Sequence, residues 1–359
     1  MTRVGDLRRQ VRALAVAGLT LDELWRRTDG VLRRSVGWDV SAWGLVDPAT
    51  LLSTGCLVLG APFDADRERV VFELEHDASE VGRLIDLVHL SPPAVGLSLA
   101  TSGRPATSPR YHRLLQPLGI TDDLRVALVR DRTCWGSLYA YRRVQAFSAD
   151  DVAVLGALAA DLADGARLAL LRADATSAQH PDSPGLLLLR PDGTLSATSD
   201  VAARWLALLP SDGAVPSAVA ALTAALRASS GGPRRARVRA LDGRWLVLHA
   251  SHLDPAGSAV IVEAARPVEV AEVLCAAYGL SAREREVVGL VLRGEGNRGV
   301  ARALGLSEHT VKEHLKAVFA KVGVLSRSEL AARLLHEQYL PRRDAGVPAS
   351  SQGFFRETA

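Results

Sequence analysis

The sequence predicts a multidomain chain, with an α/β domain first, a smaller α+β domain in the middle and an all-α four-helix domain at the C-terminal end. Three observations predict it. At 359 residues the chain exceeds what one hydrophobic core normally organises. Strand-like apolar segments end in a long helical pattern near residue 148, and a second set follows a polar, proline-containing stretch. Helix-starting signals then crowd into the last 80 residues, where strand signals are missing.

In chain order, Gly18-Leu-Thr-Leu-Asp-Glu-Leu24 begins a helical pattern, and the segments Val40–Leu45, Leu124–Val129 and Trp135–Tyr141 read as strands. A long helix starts at Ser148, where Phe147 and Val152 form a hydrophobic staple, Asp151 completes the cap, and the apolar pattern continues past Leu170. Residues 173–184, ADATSAQHPDSP, read as a linker. Beyond it come a strand at Leu186–Leu189, a Pro-Asp-Gly turn at 191–193 and a helix over Ala202–Leu209. Asp242-Gly243 is a two-residue hairpin signal between Arg237–Leu241 and Arg244–Ala250, and Ala259–Glu263 adds a strand. Arg235, Arg237 and Arg239 alternate with apolar residues and are expected on the wet face of their strand.

Four helix starts follow from capping chemistry, because the first amides of a helix need acceptors. Ser281 with Glu284 and Ser326 with Glu329 are capping boxes, Asn297 opens a helix between them, and Ser307 with Glu308 opens another. Apolar residues repeat at helical spacing: Val287, Val288, Val291 and Leu292 in the first helix; Val300, Ala301 and Leu304 in the second; Val311, Leu315, Val318 and Val322 in the third. The far side of the third helix, 308–322, carries His309, Lys312, Glu313 and Lys316. Gly305-Leu306-Ser307, between the second and third, supplies a residue suited to positive φ, an apolar plug and a cap, which together make a helix-turn-helix.

Charge points to the same end. The net charge is only +3, yet the three lysines, Lys312, Lys316 and Lys321, fall within ten residues, and the other 40 basic residues are arginines spread along the chain. Residues 281–335 carry a local net of +4, so a phosphate-binding surface is expected there. No long uninterrupted apolar run exists and MTRVGDLRRQ lacks a secretory apolar segment, so a cytoplasmic protein without membrane association is expected. Cys56, Cys134 and Cys275 are far apart, without a metal-binding spacing. His76-Asp77 has no companion ligands, Gly96-Leu-Ser-Leu-Ala lacks the second glycine of a nucleophile elbow, and no lysine precedes residue 312 to build a phosphate-binding loop. No catalytic residue, cofactor or metal is predicted, and the chain is not expected to be an enzyme.

Leu280-Ser-Ala-Arg-Glu-Arg-Glu-Val-Val, Gly294, Val300-Ala-Arg-Ala-Leu-Gly-Leu-Ser-Glu-His-Thr-Val-Lys-Glu-His-Leu-Lys316 and Lys321-Val-Gly-Val-Leu-Ser-Arg-Ser-Glu-Leu330 closely resemble the DNA-binding domain of the LuxR family. Gly296 and Gly299 depart from it, standing where that family has a Ser/Thr cap and a Glu. The resemblance implies a sequence-specific regulator of transcription with 308–322 as recognition helix in the major groove of double-stranded DNA. It puts Lys312, Glu313 and Lys316 at base edges beside His309, and Thr310, His314, Asn297, Lys321 and Arg327 at phosphates. Leu124–Tyr139 with Phe147-Ser-Ala-Asp-Asp resembles a GAF sensor domain, and the middle segment resembles a PAS-like domain. The domains are then 15–172, 184–265 and 273–340, with a homodimer and an unidentified small-molecule ligand as expected partners. The alternative is a GAF/PAS sensor enzyme, or a scaffold, with a protein-binding helical tail.

Overall fold

Leu7, Val11 and Ala15 recur every fourth residue and form the buried edge of the first helix, α1 (Arg3–Val16). The structure, a computed structural model, describes residues 3–60, 64–172, 181, 183–210, 215–229, 232, 234–253 and 257–336. The expected linker falls almost wholly outside these residues, as do positions 337–340 of the expected third domain. The chain divides into two units, one built on residues 1–173 and 183–264, the other on 174–182 and 265–359.

In the first unit, α2 (Leu21–Val36) begins with the capping box of Thr20 and Glu23 and buries Leu24, Trp25, Leu32 and Val36. The chain continues through β1 (Val40–Val46), β2 (Ser53–Leu59), α3 (Ala65–Leu74), single-turn α4 (Leu84–Leu87), β3 (Ala94–Gly96), single-turn α5 (Leu97–Ala100), β4 (Asp122–Arg130), β5 (Thr133–Arg142) and α6 (Ala149–Arg172). The sheet runs β2-β1-β5-β4-β3 and every pairing is antiparallel, so this α/β domain lacks the parallel sheet that the term usually implies. A Cβ at Gly136 would stand 2.3 Å from the Gly44 carbonyl oxygen, so the approach of β5 to β1 requires glycine there. The expected cap of α6 is present, with Ser148 and Asp151 exchanging backbone-to-side-chain hydrogen bonds. Asp161 of α6 accepts from Arg8 Nε at 2.9 Å and Arg12 Nε at 2.6 Å, which ties α1 to α6.

A second antiparallel sheet follows: β6 (Gly185–Leu189), β7 (Leu195–Thr198), α7 (Asp200–Leu206), α8 (Ser217–Arg227), β8 (Arg234–Arg239), β9 (Trp245–Leu253) and β10 (Gly257–Ala264). Its order, β7-β6-β10-β9-β8, repeats that of the first sheet. Leu187, Leu189, Trp205, Leu222, Leu248 and Val262 share its core. Two expectations change here. The hairpin at Asp242-Gly243 has a three-residue loop, because Ala240 N–H donates to the Arg244 carbonyl and Gly243 takes φ 84°. Arg237 is buried rather than wet: its guanidinium donates to Asp47 Oδ1 at 2.6 Å and its backbone N–H to Oδ2 at 2.9 Å. That face of β8 is covered by the β1–β2 turn, which also lends Leu52 to the second core.

The first unit also holds a largely buried ion network. Asp123 pairs with Arg110 (2.9 Å) and Arg125 (3.1 Å), Arg110 also meets Glu80 (3.4 Å), and Arg125 reaches Glu75 (2.6 Å). The side chains of Arg110, Arg125, Asp123 and Glu80 are wholly shielded from solvent. Burial pulls the Arg125 pKa down, but Glu75 and Asp123 more than offset it and hold the guanidinium charged. Burial pushes the Tyr139 hydroxyl, which donates to Glu75 at 3.0 Å, well above its ordinary value.

The second unit is helical: α9 (Pro267–Ala277), α10 (Ala282–Leu292), α11 (Asn297–Leu304), α12 (Glu308–Val322) and α13 (Arg327–Ala331), extended by a wider turn over Ala332–His336. The four expected helices are joined by α9, whose Val270, Val273, Leu274 and Cys275 are buried.

Candidate nucleic-acid interface

The interface is set by which side of α12 is used up in packing. Val311, Leu315, Val318 and Val322 are buried, as their spacing predicts. Ser307 caps the helix, its hydroxyl accepting from Thr310 N–H at 3.0 Å, and Glu308 stands in the first turn. The preceding turn is the expected one, with Gly305 at φ 64° and Leu306 N–H returning to the Ala301 carbonyl.

His309, Lys312, Glu313 and Lys316 therefore project outward and are all exposed. Among the described residues none of the four side chains makes a hydrogen bond or ion pair. Thr310 and His314 lie half-buried on the flanks, and the Thr310 hydroxyl is in contact with the Ser307 hydroxyl at 2.9 Å.

The other three expected contacts are engaged inside the unit. Lys321 Nζ donates to Glu284 Oε2 at 2.6 Å and to the Gly279 carbonyl at 3.2 Å, so it locks α12 to the start of α10. Arg327 donates to the Glu295 carbonyl and to Asn297 Oδ1. Asn297 is not the cap of α11: Gly296 occupies that position, without a side-chain acceptor, and Asn297 is the first helical residue. Sequence reasoning passed over Arg298 and Arg302, one turn apart on α11, exposed and without a partner among the described residues. Their spacing and the lack of an acid on that face were the available signal.

Glu284 is the hinge pin of this arrangement. Burial works to raise its pKa, but Lys321 and the Ser281 backbone N–H outweigh it, and the net shift is downward from 4.5. A lowered folded-state value means stability that is present above the ordinary glutamate range and lost as pH falls through the folded value. Glu284→Gln keeps a capping acceptor and loses the ion pair. It is expected to cost about 0.5–1 kcal/mol at pH 7 and progressively less as the pH falls through the folded value, read by denaturant melts at pH 7 and on acidification. A cost that does not shrink on acidification contradicts the pairing.

Elsewhere, His76-Asp77 shows no ligand-like company. Asp77 accepts from the Ser79 N–H and hydroxyl, and burial lowers the His76 pKa. No group of three or more His, Cys, Asp or Glu among the described residues could hold a metal ion. Burial pushes the Cys134 thiol up to about 12 and the Cys275 thiol up to about 11.

Residues 279–334 match the sequence model of the bacterial regulatory proteins of the luxR family. The spore germination protein GerE of Bacillus subtilis is 38% identical over 56 residues, which cover 16% of this chain and 76% of that protein. The chain belongs to the luxR family. The monoamine regulon transcriptional regulator of Klebsiella aerogenes is 50% identical to this luxR-family chain over 54 residues, 15% of the chain and 24% of the relative. The chain spans between about a quarter and a half of the length of the first curated relatives it matches. Among solved structures, the GAF domain of a phosphoenolpyruvate-protein phosphotransferase from Coxiella burnetii aligns at 14% identity over 45% of this chain and 90% of that one. The TM-score of that alignment is 0.29. The luxR-family match thus covers α10 to α13, the segment that carries the exposed face of α12.

Proposed function

We propose that this luxR-family chain is a sequence-specific DNA-binding regulator of transcription that docks α12 in the major groove and responds to a signal through its two-sheet unit. One observation carries the proposal: the buried stripe of α12 leaves Lys312, Glu313 and Lys316 exposed, together and unpartnered among the described residues. Lysine donates to guanine O6 and N7 and glutamate accepts from cytosine N4, so the trio suits G·C-containing half-sites. His309 lies beside them, and Thr310 and His314 flank the groove at phosphate height. Arg298 and Arg302 join them as phosphate contacts. Lys321, Arg327 and Asn297 contribute mainly by fixing the helices, with their remaining donors turned to the backbone of the duplex. The relative from Klebsiella aerogenes, named as a transcriptional regulator, supports this role for the matched segment.

The repeated strand order supports two related domains, GAF-like over 15–172 and PAS-like over 184–265, as the signal-responsive part. A homodimer reading a palindrome supplies the specificity that one helix lacks. The test is a selection of binding sites from random duplexes with the full-length protein, followed by titration across salt. An enriched palindrome is expected, with log K falling by about 0.9 per phosphate contact against log salt. No enrichment, or affinity independent of salt, overturns the proposal.

A further inference from the structure

Helix α12 carries two of the chain's nine histidines, His309 in its first turn and His314 on its flank. His309 is exposed and His314 half-buried, and neither imidazole has a hydrogen-bond or ion-pair partner among the described residues. The other charges of the helix are balanced. Glu308 and Glu313 answer Lys312 and Lys316, and the third amine, Lys321, is held by Glu284 at 2.6 Å. With its imidazoles neutral, α12 therefore brings no net charge to a polyanion, although its exposed side is the one free to dock. We propose that His309 and His314 meet the duplex as imidazolium ions, so that the protein takes up protons as it binds DNA and binds more tightly below neutral pH. This rests on the reading of α12 as the DNA-contacting helix given above.

Hydrogen bonding favours the charged ring. A neutral imidazole has one donor and one acceptor, whereas the imidazolium donates from both nitrogens. Phosphate oxygens, and O6 and N7 of guanine in the major groove, accept only, so protonation turns the second ring nitrogen from a competing acceptor into a donor. Imidazole is also the side chain whose ordinary titration, near pH 6.5, lets this exchange happen close to neutrality.

The surroundings leave the proton to the duplex. Along α12, His309 has Glu308 beside it and Glu313 one turn on, set against Lys312 and the positive end of the helix dipole, while His314 has Glu313 beside it. Of the helices packed against α12, α10 brings Arg283, Glu284, Arg285 and Glu286. Both of those acids are answered, Glu284 by Lys321 and Glu286 by Arg283 at 2.6 Å. Helix α11 brings Arg298 and Arg302 and no acid. A docked duplex offsets the two arginines and sets its own phosphates near the rings, and an opposite charge a few ångströms away favours the protonated form. A proton held more firmly in the complex than in the free protein adds affinity that is present below the free imidazole range and lost as pH rises through the value in the complex.

The experiment titrates full-length protein onto the duplex enriched by the selection described above, between about pH 6 and about pH 8 at fixed salt, and measures proton uptake by calorimetry in two buffers of different ionisation enthalpy. Binding about tenfold or more tighter at the lower pH is expected, with uptake of about one proton per chain near neutrality. His309→Gln with His314→Gln keeps polar side chains and a good helix former while removing the titration. The double variant is expected to bind like the parent at the higher pH and about tenfold more weakly at the lower. His309→Gln alone changes only an exposed ring and is expected to remove about half of the uptake, so it decides the matter if circular dichroism shows that the double variant has lost helix. Binding that is flat in pH, or a pH profile and uptake that survive the substitutions, overturns the proton link and leaves the DNA-binding reading standing. No binding to any duplex at any pH overturns that reading and the link with it.

Discussion

Replacing Lys312 and Lys316 together by alanine is expected to weaken binding of the full-length protein to its operator by roughly 30-fold to more than 10,000-fold, at about 1–3 kcal/mol per lost base contact. The basis is geometric. Both side chains leave α12 on the side opposite Val311, Leu315 and Val318, and neither is held by another group among the described residues, so nothing inside the unit is disturbed by their removal. Alanine is the best helix former, so the helix survives. Circular dichroism before and after the change, with a mobility-shift titration at fixed salt, makes the comparison. Lys321→Ala gives the contrast, because that lysine bonds Glu284 and the Gly279 carbonyl and its loss destabilises the unit. If the double variant binds like the parent, α12 is not the reading helix.

The largest stability effect is expected at Asp123. Its carboxylate serves both Arg110 and Arg125, and all three side chains are fully buried. Asp123→Ala leaves two guanidinium groups with only their outer partners, Glu80 and Glu75, and breaking such a buried pair costs about 3–5 kcal/mol. For a unit of this size that lowers the melting temperature by roughly 6–20 °C. The matching surface change is Asp86→Ala, which removes the Arg83 partner at 2.7 Å where the two side chains are 21% and 48% exposed. It is expected to cost at most about 1 kcal/mol. Thermal melts of the two variants side by side read the difference, and equal shifts would show that the buried network contributes no more than a surface pair.

The DNA-binding unit was legible because each of its parts is local. Ser281 and Glu284, Gly305 and Ser307, and the valines of α12 act over three or four residues, and capping and helical period operate at that range. Seven of the ten described strands were found within a few residues, as at Leu124–Val129 inside β4, while β2, β3 and β7 were not. Helix α8 escaped notice because it is buried nearly all round: Val219, Leu222 and Leu226 face the second core while Ala221 and Ala224 pack with Phe72, so no polar stripe marks its period. Helix α1 did carry a signal, Leu7, Val11 and Ala15, overlooked among its arginines. Arg237 was misjudged because alternation tells which residues share a face but not what covers that face, and Asp47 lies 190 residues away. The Asp123 network has the same character, joining Glu75, Glu80, Arg110 and Arg125 across loops whose pairing no spacing rule encodes.

The placement of the lysines has a chemical consequence of its own. Side-chain amines occur in this chain at positions 312, 316 and 321 and nowhere else. Acylating reagents, whether an enzyme's acetyl donor or a laboratory active ester, discriminate by amine exposure and by how firmly the proton is held. Lys312 and Lys316 stand in solvent without a carboxylate partner, while Lys321 is tied to Glu284. Each acetyl group deletes one positive charge and the donors that go with it. In most proteins such chemistry is spread over many surface amines and blurs into noise; here the guanidinium-rich remainder is inert to it, and side-chain modification is confined to α12, with at most three acetyl groups per chain.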